Sequence, residues 1–499
     1  MESGPGESSI GILSPRSAML ETIAKLQPLR HSPRMSQSQE EQDRTYLRAL
    51  VHNLRTDTLA YGNEFYTDIY QNDRGNDPII PLRKDIDLSD SESRYFIAGY
   101  NGTGKTTQLR RLESDLRKDG HEVIFIDTKQ YRSEGEPFDI RTMLILIAAA
   151  VSQEIDLRKI PQPKGKNFFE HLADFFHRLK ITPDQLGFSV GPKDFSGSLR
   201  FAITSNPSFR DLIRTQLHLE NVLPKLKQEV DTYLTGVKAA LREKMGTGGH
   251  CVLILDSLEQ VHPSLQDQES IFNSVTNLFA RYQEQLRIPG WHVIYTVPPW
   301  LRLTTSNTGI NVRVFPHLKL RTRSEGKPIP ENHAVMRDLA TRRFPTPGVD
   351  HFFGDQEIPA NRKKLDDLVT LSGGHPRDLL LLIRETVISA LGPLPVDEAD
   401  VRRAISVVRR DFLPIAVDDA HLLEAISRNP SELLQTTELR EINKVAALLN
   451  DHILFHHIND EDWYEVHPLL VGDVNELVQR KGLRAPAKKA AAKKVPKKN

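Results

Sequence analysis

The sequence predicts an α/β fold, in which a three-layer parallel sheet carries an inserted helical subdomain and is followed by an all-helical region. Two observations predict the sheet. Short apolar segments recur between residues 94 and 320, and segments with helical periodicity lie between them. Strands covered on both faces are apolar almost throughout, and alternation of such strands with helices is typical of a parallel sheet.

The composition favours a protein of the reducing cytoplasm. The chain has 499 residues and a single cysteine, Cys251, which excludes an internal disulfide and a cysteine-cluster metal site. The longest apolar run is nine residues, at 143–151, and about 20 are needed to span a bilayer. The start of the chain lacks the basic and apolar regions of a secretory signal. We therefore expect a cytoplasmic protein without a membrane segment.

The first two predicted regions are a disordered N-terminal segment and the α/β domain. Residues 1–40 are rich in Ser, Pro, Gly and Gln, which is typical of disorder. The α/β domain is expected over residues 41–330. It begins with helical spacing from 41 to about 75, and the segment DPIIPL then leads into the first strand. The predicted strands are RYFIAG (94–99), EVIFID (122–127), CVLILD (251–256), WHVIYTV (291–297) and VRVFPHLKL (312–320).

The interval from 128 to 250 is too long for one crossover between neighbouring strands. It predicts an inserted subdomain at about 130–245. We expect helices near 138–155 and 167–179, a hairpin in LGFSVGPKDFSGSLRFAI (186–203), and a helical stretch over 207–245.

Two further domains and a tail follow the sheet. Residues 331–414 show only helical periodicity and predict a helical lid domain. Residues 415–480 read as three helices and then a hairpin, ILFHHI, NDED and WYEVHP, which is the winged-helix pattern. Residues 481–499 hold eight Lys or Arg and no acid, and we expect a disordered Lys-rich tail.

A phosphate-binding motif follows the first strand directly. The segment GYNGTGKT, residues 99–106, fits G-x-x-x-x-G-K-[ST], and a helix is expected to follow it. Its glycines let several backbone amides face one point, and the helix N-terminus adds positive potential there. Lys105 is expected to reach the outer phosphates of ATP, and the Thr106 hydroxyl to hold Mg²⁺. The residues expected to bind the nucleotide are Gly99, Tyr100, Asn101, Gly102, Thr103, Gly104, Lys105, Thr106 and Thr107.

Acidic and polar side chains end the later strands. Asp256 ends CVLILD and is expected to hold Mg²⁺, directly or through water; a turn residue is the alternative. Glu259 is the nearest candidate to polarise an attacking water, or else a surface acid. Thr296 ends WHVIYTV, where it would contact the γ-phosphate or the water, or only cap the strand. The spacing from Lys105 to Asp256 leaves room for an extra strand between theirs in the sheet.

From these motifs the chain resembles the AAA+-related P-loop ATPases, closest to the STAND class and to archaeal-type and origin-recognition-like relatives. The most specific further match is LSGGHPRDLLLLI, residues 371–383. The resemblance implies that a Gly-x-Pro turn ending at Pro376 sets an elbow over the nucleotide. It implies that Arg377 reads the γ-phosphate and that His467 touches the β-phosphate of ADP. The alternatives are a solvated arginine and a packing histidine.

The residue after Asp256 is Ser257, whereas loader and motor relatives usually carry Glu there. The resemblance to STAND proteins therefore implies a slow ATPase that acts as an ATP·Mg-dependent conformational switch. Such a switch would control self-assembly as a homo-oligomer, or binding of a protein partner, in a setting such as bacterial regulation or defence. Four arginines, at 321, 323, 342 and 343, lie where an arginine finger is expected, and nothing in the sequence ranks them.

A DNA-binding initiator or loader ATPase is the alternative function. A winged helix and a Lys-rich tail both occur in DNA-binding proteins. The tail would bind nucleic acid without sequence preference, because no aromatic residue is interleaved for stacking; it is equally compatible with a solubilising tail. Since the whole chain has zero net charge and the tail carries +8, the other 480 residues carry −8 and are mildly acidic. The predicted third helix of the winged helix, ELREINKVAALLN, has almost no net positive charge, which favours a protein–protein or intramolecular role for that domain.

The C-terminal histidines, at 452, 456, 457 and 467, cluster in sequence and raise the question of a metal site. Positions 456 and 457 are adjacent in a predicted strand and therefore point to opposite faces. No cysteine or H-x-E pattern accompanies them. The sequence alone therefore favours packing over zinc binding.

Overall fold

The structure, a computed structural model, describes residues 37–56, 59–90, 92–131, 137–189, 194–205, 217, 222–243, 245, 249–259, 268–305, 310–323, 325–429, 439–458 and 462–481. The chain divides into two compact units, residues 1–49 and 50–499. In the first unit, the described residues form the start of a helix, where Gln39 Nε2 donates to Asp43 Oδ1 at 3.1 Å. The predicted disorder of residues 1–40 and the Lys-rich tail fall largely outside the described residues.

The helices and strands were numbered in chain order. The helices are α1 (Gln37–Asn53), α2 (Ile79–Asp87), α3 (Lys105–Lys118), α4 (Ile140–Leu157), α5 (Phe168–Arg178), α6 (Phe195–Ser205), α7 (Val222–Arg242), α8 (Gln268–Thr276), α9 (Leu301–Thr305), α10 (Pro330–Thr341), α11 (Val349–Phe353), α12 (Pro359–Leu371), α13 (Pro376–Ser389), α14 (Glu398–Asp411), α15 (Val417–Arg428), α16 (Leu439–Asn450) and α17 (Val471–Lys481). The strands are β1 (Arg94–Gly99), β2 (Glu122–Asp127), β3 (Cys251–Asp256), β4 (Trp291–Val297), β5 (Val312–Phe315), β6 (Leu454–Ile458) and β7 (Asp462–Val466).

The five strands of the α/β domain form one parallel sheet in the order β2-β3-β4-β1-β5. The predicted parallel sheet is therefore confirmed. Strand β4 lies between β1 and β3, which confirms the extra strand expected from the spacing of Lys105 and Asp256. Because all strands run the same way, their carboxyl ends meet at one edge, where ligands of open α/β sheets bind.

The inserted subdomain packs into the same hydrophobic core as the sheet. Helix α4 buries most of its length, and α5 and α7 add aromatic and aliphatic side chains to that core. Asn167 begins α5 with a capping box, in which its side chain accepts from the amide of Glu170. The predicted helices near 138–155 and 167–179 are confirmed, and α7 confirms the described part of the stretch at 207–245.

The hairpin predicted in residues 186–203 is wrong. The structure forms α6 over Phe195–Ser205, and residues 190–193 lie outside the described residues. Phe195, Leu199 and Ile203 are buried at intervals of four residues, which is a helical spacing. Glycine and proline in the preceding residues also fit a turn between strands, but the buried residues that follow them form a helix.

Two other boundaries also differ from the sequence prediction. The helical spacing expected from 41 to 75 supports a helix only to Asn53, and residues 79–87 form α2 before the first strand. Strand β5 ends at Phe315 rather than at residue 320, and Pro316 follows it. Proline lacks the amide needed to continue pairing in a sheet.

The chain beyond residue 330 is helical as far as α14, as the sequence predicts. After α15 and α16, the predicted hairpin forms as the antiparallel pair β6 and β7, and α17 follows it. Residues 430–438, between α15 and α16, lie outside the described part, so the winged-helix assignment stays a prediction. No helix among the described residues is both long and apolar enough to cross a membrane.

Candidate nucleotide site

The phosphate loop joins β1 to α3 as the motif predicts. Gly102 and Gly104 adopt φ angles of 85° and 86°, in the left-handed region that glycine tolerates without strain. Helix α3 begins at Lys105, and no described side chain caps its first turn. Its N-terminal amides are therefore available to an anion, and the helix dipole adds to the attraction.

Lys105 is held in place by two oxygens. Its ammonium donates to the carbonyl of Gly99 at 3.1 Å and forms an ion pair with Oε1 of Glu259. The side chains of Lys105 and Glu259 are each only 3% exposed, and Oε2 of Glu259 has no hydrogen-bond partner among the described residues. Glu259 is thus a buried acid beside the phosphate loop and not a surface residue.

Asp256 is fully buried at the end of β3, and neither carboxylate oxygen has a hydrogen-bond partner among the described residues. Burial raises its pKa to about 6, and repulsion from Glu259 contributes. The Thr106 hydroxyl and the Ser257 amide lie close enough to oppose this shift, although neither makes a hydrogen bond of good geometry. An orphaned carboxylate beside a hydroxyl fits a hard divalent cation such as Mg²⁺.

Two backbone features fix the loop that carries Glu259. Ser257 has a φ of 69°, a strained conformation for a residue other than glycine, and it turns the chain sharply after β3. The Thr296 hydroxyl accepts from the Leu258 amide at 3.0 Å and donates to the Leu255 carbonyl at 3.3 Å. Thr296 therefore holds this turn, and both of those bonds are to the backbone of β3 and its loop.

The expected elbow lies directly on the phosphate loop. Gly374, with a φ of 81°, precedes the N-cap residue His375, and Pro376 opens α13. His375 Nε2 donates to the carbonyl of Asn101 at 2.7 Å, and the Arg377 amide donates to the carbonyl of Gly102 at 3.4 Å. A Gly-x-Pro elbow at the start of α13 is thereby confirmed.

His467 contacts the elbow from the other side. Its Nε2 lies 3.3 Å from Oδ2 of Asp378, and its Nδ1 accepts from the Leu469 amide at 3.1 Å. Burial alone would raise the pKa of Asp378, but His375 and His467 hold it well below its ordinary range. The structure thus places His467 against α13, and it does not line the cavity described next.

A cavity of about 400 Å³ opens above the phosphate loop. Its floor is every residue from Tyr100 to Gln108, and Ser257 and Glu259 adjoin that floor. Pro376, Arg377 and Leu380 of the lid form one wall. Of the residues predicted from sequence, Gly99, Asp256, Thr296 and His467 are not among those that line it. The volume falls within the range of small-molecule sites.

The remaining wall was not predicted from the sequence. It is built by the segment before the first strand and by α10 with the residues that follow it. The lining residues there are Arg55, Thr56, Leu59, Phe65, Tyr66, Thr67, Ile69, Leu339 and Arg343, and Asp127 at the end of β2 and Lys129 just after it also line the cavity. Arg343 was considered only as an arginine finger. Burial lowers its pKa to about 10, and its guanidinium lies 4.9 Å from the ring centre of Phe65. In the sequence, the mixture of polar and aromatic residues at 55–69 is the one feature that could have indicated this wall of the cavity.

Tyr100 connects the phosphate loop to the C-terminal hairpin. Its ring is buried in the core that α15, α16, β6 and β7 build, with the ring centre 4.5 Å from that of His317. His317 in turn lies 4.5 Å from Phe455 of β6, measured between ring centres. Tyr100, Asn101 and Gly102 are consecutive, so three adjacent loop residues carry the contacts to the lid and to the C-terminal region.

No known protein family and no curated protein matches the chain in sequence. Three solved structures that it is similar to are Cdc6/ORC-type or Walker-type ATPases. Cdc6p of Pyrobaculum aerophilum is 13% identical, with a TM-score of 0.33 over 85% of this chain and 100% of that chain. The ORC2 protein of Aeropyrum pernix, in ADPNP and ADP complexes, is 11% identical, with a TM-score of 0.37 over 87% and 98%.

The third structure, a Walker-type ATPase of Pyrococcus abyssi, is 12% identical, with a TM-score of 0.36 over 84% of this chain and 99% of that chain. Identities and TM-scores this low carry no argument about function. The function proposed for this chain therefore depends on the geometry of the phosphate loop, the buried acids and the lid.

Proposed function

We propose that the chain binds ATP·Mg in the cavity above the phosphate loop and acts as a slow ATPase and conformational switch. In this proposal the nucleotide state controls self-assembly or the binding of a protein partner. One observation carries it. Three consecutive residues of the phosphate loop hold the lid and the C-terminal core, through the Tyr100 ring and the carbonyls of Asn101 and Gly102.

The buried acids support a chemical role for each residue in this proposal. Thr106 and Asp256 would hold Mg²⁺, which supplies neutralisation of the phosphate charge when it is bound. Lys105 would contact the outer phosphates, for which it must leave the ion pair with Glu259. A released Glu259 carboxylate would then be free to accept a proton from an attacking water.

Slow turnover follows from the same arrangement. In the structure the general-base candidate is engaged with the lysine that the phosphates require, so nucleotide binding must rearrange a buried ion pair. Separating such a pair is costly when one charge is left without a partner. Arg377 lines the cavity beside the loop, where its side chain would sense the γ-phosphate.

The test measures particle mass and nucleotide content together. Purified protein is expected to retain ADP, and its mass by light scattering should change with a non-hydrolysable ATP analogue. Lys105→Ala should lose nucleotide affinity and the mass change. The switch would be contradicted if the particle mass were the same with the ATP analogue, with ADP and without nucleotide, both in the presence and in the absence of candidate partners.

A second arm addresses the initiator or loader alternative. That alternative depends on the Lys-rich tail and the predicted winged helix, and residues 482–499 lie outside the described part of the chain. DNA binding that persists after removal of residues 481–499 and responds to ATP would favour a loader. DNA binding that disappears with the tail would assign it to the tail's charge alone.

A further inference from the structure

Three potential metal ligands meet where the lid elbow touches the C-terminal hairpin. His375 and Asp378 come from the first turn of α13, and His452 comes from the turn between α16 and β6. One ligand atom from each lies within 4.8 Å of the other two. His375 and Asp378 are buried, and His452 is half-buried. The sequence pattern draws attention only to the C-terminal histidines, because His375 and Asp378 are far from them along the chain.

The contacts of His375 place a proton or a metal ion between its Nδ1 and the carboxylate of Asp378. Its Nε2 faces the carbonyl of Asn101 at 2.7 Å, and a carbonyl only accepts, so this nitrogen carries the proton. In the neutral ring, Nδ1 then presents a lone pair, which accepts from the Asp378 amide at 3.3 Å as the N-cap of α13. That lone pair lies 2.7 Å from Oδ2 of Asp378, a carboxylate oxygen. Two electron-rich atoms at this distance repel each other unless a proton or a metal ion lies between them.

The third donor distinguishes a metal ion from a proton. A proton bridges two atoms, whereas His452 brings a third potential ligand atom to within 4.8 Å of one ligand atom of each of the other two residues, with its ring centre 4.6 Å from that of His375. His452 has a φ of 57°, in the left-handed region. It occupies the position just past the end of α16, which normally carries glycine or asparagine. This left-handed turn, in which the Ile453 amide donates to the Leu448 carbonyl at 3.0 Å, directs the chain from α16 into β6 and brings the His452 ring against that of His375.

The surroundings are those of a transition-metal site. The carbonyl of Asn101 orients the His375 ring through its other nitrogen, as outer-sphere partners of metal-bound histidines do. His467 uses Nδ1 to accept from the Leu469 amide, so its Nε2 carries a proton and donates to Asp378. Two imidazoles and one carboxylate suit Zn²⁺, Co²⁺ or Ni²⁺ and not Mg²⁺ or Ca²⁺.

We propose that His375, Asp378 and His452 bind one divalent transition-metal ion of the zinc class, which ties the lid elbow to the C-terminal hairpin. Ligand atoms around tetrahedral zinc lie about 3.3 Å apart, so the 2.7 Å contact must widen slightly and His452 must move inward. Because His375 also holds the phosphate loop, the ion would couple that loop to the hairpin. This site is distinct from the Mg²⁺ site of the proposed function and does not depend on it.

The experiment titrates Co²⁺, and in parallel Zn²⁺, into the full chain after chelation and removal of the chelator, without nucleotide. We expect one ion per chain, a visible cobalt absorption band and a rise in melting temperature with Zn²⁺. His452→Gln should weaken binding by at least about 100-fold. The matched control is His457→Gln, a buried histidine of the same hairpin that pairs with Glu465, and it should bind as the native chain does.

A final variant covers the case in which His452→Gln fails to fold. His452→Cys retains a transition-metal ligand and should bind Co²⁺ with an added near-ultraviolet band from thiolate coordination. The proposal would be overturned if the native chain did not bind one Co²⁺ or Zn²⁺ ion per chain. In that case a proton shared between His375 and Asp378 would account for their close contact. Equal cobalt affinity in His452→Gln and the native chain would overturn it as well.

Discussion

Glu259 pairs with Lys105 inside the molecule, so the ammonium group that in the proposed function contacts the outer phosphates is already paired with a carboxylate. Both side chains are nearly inaccessible, and the second oxygen of Glu259 has no partner among the described residues. A nucleotide must therefore compete with an internal acid for its principal cation. This relationship leads to the first prediction.

Glu259→Gln should bind ATP more tightly and hydrolyse it more slowly. Removing the competing charge leaves Lys105 free for the phosphates, and we expect the Kd for ATP to fall about 10-fold, or 1.4 kcal/mol. Loss of the base should slow turnover by about 100-fold or more. Fluorescent-nucleotide binding and single-turnover hydrolysis measure the two effects.

The control for this variant is Glu284→Gln, which removes a carboxylate that is 65% exposed. Glu284→Gln should change neither the Kd for ATP nor the rate of turnover. Unchanged turnover in Glu259→Gln would mean that the base lies elsewhere, and an unchanged Kd would mean that the ion pair does not oppose binding.

Asp256→Asn should remove a pH dependence of stability. The folded-state pKa of Asp256, about 6, lies above its ordinary value of 3.8, so its protonation stabilises the fold at low pH. That contribution is fully present below about pH 4 and is lost as the pH rises through 6. Relative to Asp256→Asn, the native chain should lose about 1–2 kcal/mol of unfolding free energy between pH 5 and pH 8.

Urea unfolding at the two pH values, without nucleotide, measures this difference. Mg²⁺ with nucleotide should restore the stability of the native chain at pH 8, because a cation then balances the carboxylate. It should not stabilise Asp256→Asn to the same extent. A pH profile shared by both proteins would show that Asp256 is not the titrating group.

Tyr100→Ala should loosen the C-terminal region although the substitution lies in the phosphate loop. The ring is buried in the core of that region, and removing a large buried aromatic side chain typically costs about 3–5 kcal/mol. Hydrogen exchange should therefore speed up in β6, β7 and α16. Tyr100→Phe keeps the ring and should leave exchange in these elements nearly unchanged; faster exchange in both variants would assign the effect to the hydroxyl.

Gly102→Ala should separate the lid from the phosphate loop. A Cβ at this position would lie 2.7 Å from Cβ of Arg377 and 2.7 Å from Cε1 of His375. Gly104→Ala is a matched control, because Gly104 has nearly the same φ and no atom within 4 Å of its added Cβ. Hydrogen exchange of residues 371–380 in nucleotide-free protein should rise only in Gly102→Ala. An equal rise in both variants would indicate backbone strain and not the lid contact.

The helical insert shows where local reading fails. The buried residues of α6 already have a helical spacing, but the glycine and proline residues before them also fit a hairpin. A local sequence pattern indicates which residues are buried, but it does not indicate which helix or strand they pack against. The same limit applies to His467, because its sequence context does not indicate that its partner is Asp378.

The sequence by itself determined the phosphate loop, the five strands of the sheet and the elbow before α13. Each of these is encoded within a few consecutive residues, because glycine, proline and apolar runs act on the backbone locally. Only the tertiary structure decided that Glu259 meets Lys105, that Tyr100 enters the C-terminal core, and that His452 reaches the lid. These partners are far apart along the chain, so their contacts depend on the path of the whole fold.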